Sequence, residues 1–206
     1  MPKRNSLAVL YFGWWCLTAC VSTTFTSTWK APDVEPVNPT GKTVAAVFVS
    51  SDEGRRRVAE DVLVRKLNER GAHGIAAYTL IPTEQLRDMN AVHTRLAQAG
   101  VEGVVVMRVI GKSQQISYTP SVATFPPYYR RLSGYWGYGW GAVYEPGYLR
   151  TDTLVSVETL VYSLEKDALL WAGTSRTTNP SNIDRFVDEL ADAVGTEMTK
   201  QGLLTK

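Results

Sequence analysis

Val44-Ala45-Ala46-Val47-Phe48-Val49 is the stretch on which the fold turns. A short unbroken apolar run of this kind suits a strand buried on both faces. Ser50, Ser51 and Asp52 follow it and offer a helix N-cap. Val58, Val62, Leu63 and Leu67 then recur at helical spacing, which predicts a helix over 54–70, with Gly71 and Gly74 to end it. Residues 75–81 read as a second strand. Pro82 and Thr83 open a second helix, with Leu86, Met89, Val92 or His93, and Leu96 on one side and Gly100 as its stop. Gly103-Val104-Val105-Val106-Met107-Arg108-Val109-Ile110 is a third strand. The order β-α-β-α-β predicts parallel pairing through right-handed crossovers.

Toward the C-terminus the pattern changes. Residues 112–119 alternate and continue the third strand outward. Residues 151–164 are another β-rich run, Glu165-Lys166-Asp167 make a turn, and 168–178 run back, which predicts a hairpin. Ile183, Phe186, Val187, Leu190, Val194 and Met198 form the apolar stripe of a last helix over 181–201. The expected fold class is α/β (α+β). It is a single domain over 43–206, with a mixed sheet of about five strands and helices mainly on one face.

Toward the N-terminus, Lys3 and Arg4 precede an apolar run from residue 7 to residue 16, too short to span a bilayer as a permanent helix. Leu17-Thr18-Ala19-Cys20 follows and resembles the lipobox of bacterial lipoproteins. That resemblance implies that residues 1–19 are a signal peptide, that cleavage falls before Cys20, and that the Cys20 thiol and new amine are acylated. Several acyl chains on one residue anchor a protein durably, whereas one holds only marginally. Val21 stands where an Asp commonly retains such proteins in the inner membrane. The expected location is therefore the outer membrane, facing the periplasm. Residues 20–42, rich in Ser, Thr and Pro, read as the lipidated Cys and its tether, with Trp29 as the first residue able to pack on the domain.

The chain holds 22 Lys and Arg against 20 Asp and Glu. Loss of Lys3 and Arg4 with the signal brings the remainder to zero net side-chain charge. The basic surface that nucleic-acid binding requires is thus not expected. Cys16 leaves with the signal and Cys20 is consumed by lipid, so no disulfide is expected.

Residues 120–150 are the most unusual segment, a long loop dense in Gly, Tyr and Trp. Such loops are usually functional or disordered. Tyr128, Tyr129, Tyr135, Trp136, Tyr138, Trp140 and Tyr144 are its candidate binding surface. Rings of this type bury large area at low entropy cost against a protein or glycan, and they also favour a membrane headgroup zone. The alternative is that they fold back over the open side of the sheet.

Other motifs carry less. Arg55-Arg56-Arg57 in the first turn of a helix oppose its dipole and invite an anion, but Asp52, Glu53 and Glu60 are at hand to pair with them. Gly111-Lys112-Ser113 has the letters of a phosphate loop without its first glycine or its helix. Ser163-Leu164-Glu165-Lys166 matches S-x-x-K on a strand end rather than a helix start. His73 and His93 are the only histidines, and no cluster has metal-ligand spacing, so neither metal nor cofactor is expected. Asp184, Asp188 and Asp192 lie four apart and read as the wet face of the last helix.

With the lipobox, the alternating core, the Gly/Tyr/Trp segment and the run Thr151-Asp152-Thr153-Leu154-Val155-Ser156-Val157-Glu158-Thr159 in view, the chain resembles a family of Gram-negative outer-membrane lipoproteins to which no activity is attached. The core topology is also similar to the small α/β domains of envelope lipoproteins such as the penicillin-binding-protein activator LpoB and the curli secretion lipoprotein CsgG, and to the N-terminal domain of TolB. The resemblance implies a non-catalytic, membrane-anchored binding or assembly module, with an envelope protein or glycan as partner. An envelope enzyme, or a self-associating structural lipoprotein, are the alternatives.

Overall fold

The computed structural model describes residues 23–119, 131–133, 136 and 148–205. The chain runs through β1 (Thr23–Lys30), β2 (Thr43–Val49), α1 (Glu53–Glu69), β3 (His73–Ala76), the single turn α2 (Ala77–Leu80), a 3-10 turn (Thr83–Gln85), α3 (Met89–Gln98), β4 (Gly103–Thr119), β5 (Tyr148–Ser163), β6 (Ala168–Thr178) and α4 (Ile183–Lys200). Among the described residues one mixed sheet holds six strands in the order β1-β6-β5-β4-β2-β3. The expected α+β class with a mixed sheet is what forms. No described helix is long and apolar enough to cross a membrane.

The 43–49 run is central as expected, with β2 pairing in parallel with both β3 and β4. Ala45 and Ala46 are both fully buried and, as consecutive strand residues, point to opposite faces. Ala46 and Phe48 meet Val62 and Leu63 of α1, Leu190 and Val194 of α4, and Met107, Val157 and Trp171 of the sheet. Ala45 and Val104 meet Ala77, Ile81 and Leu96 on the other side. The expectation that helices gather mainly on one face thus holds for the two long helices but not for α3. The chain moves one way across the sheet from β2 to β3 and back past β2 to reach β4. Right-handed connections running in opposite directions must use opposite faces.

The second strand is shorter than the expected 75–81 and ends at Ala76. The reason is the carboxylate of Glu60, fully buried on α1. It accepts the backbone N–H of Tyr78 at 2.7 Å, that of Phe48 at 3.1 Å and the Arg56 Nε at 3.0 Å. The Tyr78 amide is thereby drawn out of the ladder and the chain coils. The second helix likewise starts later than Pro82, at Met89. There Asp88 caps it by accepting the N–H groups of Asn90 and Ala91.

The sixth strand corrects the tether read over 20–42. Thr23–Lys30 is an edge strand paired antiparallel with β6. Residues 31–42 then form a strap that carries the chain to β2 and is pinned on the way. Val37 N–H donates to Leu203 O at 2.6 Å, Thr205 N–H to Val37 O at 3.3 Å and Gly41 N–H to Gly71 O at 2.8 Å. Phe25 meets the buried Trp171 edge-on, with ring centroids 5.9 Å apart. Trp29, expected to start the packing, is 47% exposed on the edge.

Candidate functional site

The sheet has two distinct poles. At one of them β4 and β5 outrun their neighbours. β6 meets β5 no further out than Leu154, and β2 meets β4 no further than Arg108. In the ladder, residues 114–119 and 148–153 therefore pair only with each other, with Asn179 bonded to Thr153 at their foot. Six residue pairs at about 3.3 Å each project roughly 20 Å as a two-stranded ribbon. Ile116, Tyr148 and Leu149 are exposed on it, as are Leu132 and Trp136 in the segment it carries. The base of the ribbon is braced by Asp152, which accepts from Asn179 Nδ2 at 2.6 Å and Arg150 Nε at 2.8 Å. These two bonds, the Asn179 one first, hold its carboxyl below the usual carboxylate range.

Of the residues proposed from sequence, Trp136 is described and is 62% exposed. Tyr128, Tyr129, Tyr135, Tyr138, Trp140 and Tyr144 lie outside the described residues, as does Cys20. β1 begins at this same pole, because Thr23 pairs with Thr177, which in turn faces Val155 at the foot of the ribbon.

The opposite pole holds a feature that sequence reading missed. An apolar cavity of about 330 Å³ lies between the sheet, the C-terminal half of α1 and α4. The strap closes it through Val34, Pro36, Val37 and Pro39, all four read from sequence as part of the tether. Charged side chains ring its mouth. Lys42 donates to Glu102, which pushes the Lys42 ammonium up and the Glu102 carboxyl down from their ordinary values. The Lys66 ammonium reaches Asp192 at 2.9 Å, Asp188 at 3.1 Å and Glu69 at 3.2 Å, and the Asp192 bond first raises it above the ordinary lysine range. Arg70 joins Asp192 at 3.4 Å and lies so close over α4 that a Cβ at Gly195 would meet its Nη2 at 2.3 Å. Nothing local in the sequence flags this cavity, since it needs the strap and C-terminal segment folded together.

Several sequence motifs resolve into structural roles. Arg55 pairs with Asp52, Arg57 with Glu53 and the buried Arg56 with Glu60, so the arginine run spends its charge locally. Asp184, Asp188 and Asp192 are not simply a wet face but meet Arg65, Lys66 and Arg70 in a ladder joining α4 to α1. The Ser163 hydroxyl accepts the Lys166 backbone N–H at 3.3 Å within the hairpin turn. Gly111-Lys112-Ser113 runs inside β4. Among the described residues no three His, Cys, Asp or Glu side chains gather in metal-holding range.

No family model and no curated protein matches the chain. Among solved structures it is similar to a PelC dodecamer from Paraburkholderia phytofirmans, at 10% identity and a TM-score of 0.44, over 90% of this chain and 100% of that one. It is also similar to the lipoprotein GNA1162 from Neisseria meningitidis, at 14% identity and a TM-score of 0.40, over 77% of this chain and 99% of that one. Neither likeness is strong enough to carry an activity, a partner or an assembly to this chain.

Proposed function

We propose that this chain is an outer-membrane lipoprotein, anchored through acylated Cys20 and facing the periplasm, that works as a non-catalytic binding or assembly module of the cell envelope. The observation that carries the reading is the placement of two ends. β1 starts at the pole from which the β4–β5 ribbon projects. Cys20 is three residues upstream of Thr23, and three residues span at most about 11 Å. An anchor there holds the ribbon pole toward the bilayer. The aromatic segment between 120 and 147 then meets components at the membrane surface, not in the distant periplasm. Tyr128, Tyr129, Tyr135, Trp136, Tyr138, Trp140 and Tyr144 are the proposed contact surface for an envelope protein or glycan. Rigid aromatic side chains suit that task, because they desolvate a large area while freezing few torsions.

The test is cross-linking in cells with a photoreactive residue in place of Trp136, followed by mass spectrometry. The expected result is a discrete protein or glycan adduct that disappears when Cys20→Ser releases the chain from the membrane fraction. Adducts to bulk lipid alone, or the same adduct from a released chain, would overturn the reading.

A further inference from the structure

The cavity at the pole opposite the ribbon is independent of the anchor and of the aromatic surface. Its interior is aliphatic, with Val105, Met107, Val161, Val194 and Met198 among its walls. At about 330 Å³ the cavity is at the small end of the size range of ligand-binding pockets. A narrow aliphatic space of that size suits an acyl chain.

The charges at the mouth narrow the head. Lys42, Lys66 and Arg70 are already matched by Glu102, Asp188 and Asp192. Lys166 and Glu35 have no ion pair among the described residues, while Glu165 acts on Lys42 through its charge, and all three line the cavity. A mouth with a spare cation and a spare carboxylate complements a head of both signs. A simple carboxylate head would satisfy the lysine and be repelled by the two acids. We infer that this cavity binds a single-chain phospholipid whose head carries both a phosphate and an amine, with the phosphate at Lys166 and the amine at Glu35 and Glu165. The ligand is a separate molecule and not this copy's own anchor. The eight residues of β1 separate the two poles by roughly 26 Å.

The probe is a lysophosphatidylethanolamine with a twelve-carbon chain and a terminal diazirine, added to the full chain in phosphatidylcholine nanodiscs and irradiated. Adducts are expected on the peptides carrying Met107, Val161 and Met198, competed by the unlabelled lipid. Ala191→Trp, which fills the cavity, is expected to lower that labelling by about tenfold or more. Should Ala191→Trp unfold, the exposed Lys166→Glu decides on its own. It leaves the walls intact and is expected to weaken labelling several-fold, while a headless diazirine alkane labels the variant and the parent alike. Adducts confined to the ribbon pole, cavity labelling that neither variant changes, or equal labelling by the matching fatty acid would each overturn the inference.

Discussion

Single residues carry more of this fold than their chemical types suggest. Trp171 is fully buried on β6, and its indole N–H donates to Gln201 Oε1 at 2.9 Å. Its ring lies across Gly173, where a Cβ would sit 2.2 Å from the ring carbon Cη2. Glycine is thus required there by close approach, not by backbone angle. Gly173→Ala is expected to destabilise the fold by about 1–3 kcal/mol, the usual cost of overpacking a tight core. It should appear as a lower denaturation midpoint with an unchanged slope. The same change at Gly111, where the nearest atom outside its neighbours is 3.8 Å away, supplies the tolerant comparison. Glu60 is the second such residue. From sequence it is one more acid on an amphipathic helix. In the fold its carboxylate ties α1 to the end of β2 and the start of α2. Burial of a carboxylate is tolerated only when its oxygens are fully engaged, here by two amides and a guanidinium.

Elements differ in how well they are held. β4 is seventeen residues long, and its two halves have different neighbours. The half from Gly103 to Arg108 lies between β2 and β5, whereas 114–119 has only β5. A two-stranded ribbon in water is marginal without a packed face. Amide hydrogen exchange is therefore expected to divide this one strand, with 114–119 and 148–153 exchanging at least about a hundredfold faster than 104–108. Uniform protection along β4 would mean that the ribbon is covered. α1 and α4 show the opposite case. Their ion-pair ladder is mostly exposed, so its contribution is small, and Val62, Leu63, Leu190 and Val194 hold the pair together. The helices and the hairpin were legible because apolar periodicity alone marks them. β1 was not, because TTFTSTWK has the composition of a linker. Its Thr residues and the aromatic Phe25 and Trp29 were the available sign of a strand.

At the scale of the whole molecule, the N-terminal region belongs to the domain. β1 covers the edge of β6, and the strap closes the cavity over Leu203 and Leu204. A chain beginning at residue 43 is expected to lose more than about 3 kcal/mol relative to one beginning at residue 23, the cost of removing one buried aromatic contact such as that of Phe25 with Trp171. Thermal unfolding of the two chains measures this, and equal melting would return 23–42 to the role of a tether. The sequence by itself determined the α+β class, the parallel core around 43–49 and the long hairpin, because each rests on periodicity or spacing within a few residues. Only the tertiary structure decided that 23–30 is a strand, that α3 lies on the opposite face from α1 and α4, and that an apolar cavity forms at the pole away from the ribbon. Those features depend on contacts between residues far apart in the chain, such as Ala45 with Leu96, Thr23 with Thr177 and Val37 with Leu203. Short-range patterns hold no record of which distant surface a segment will meet.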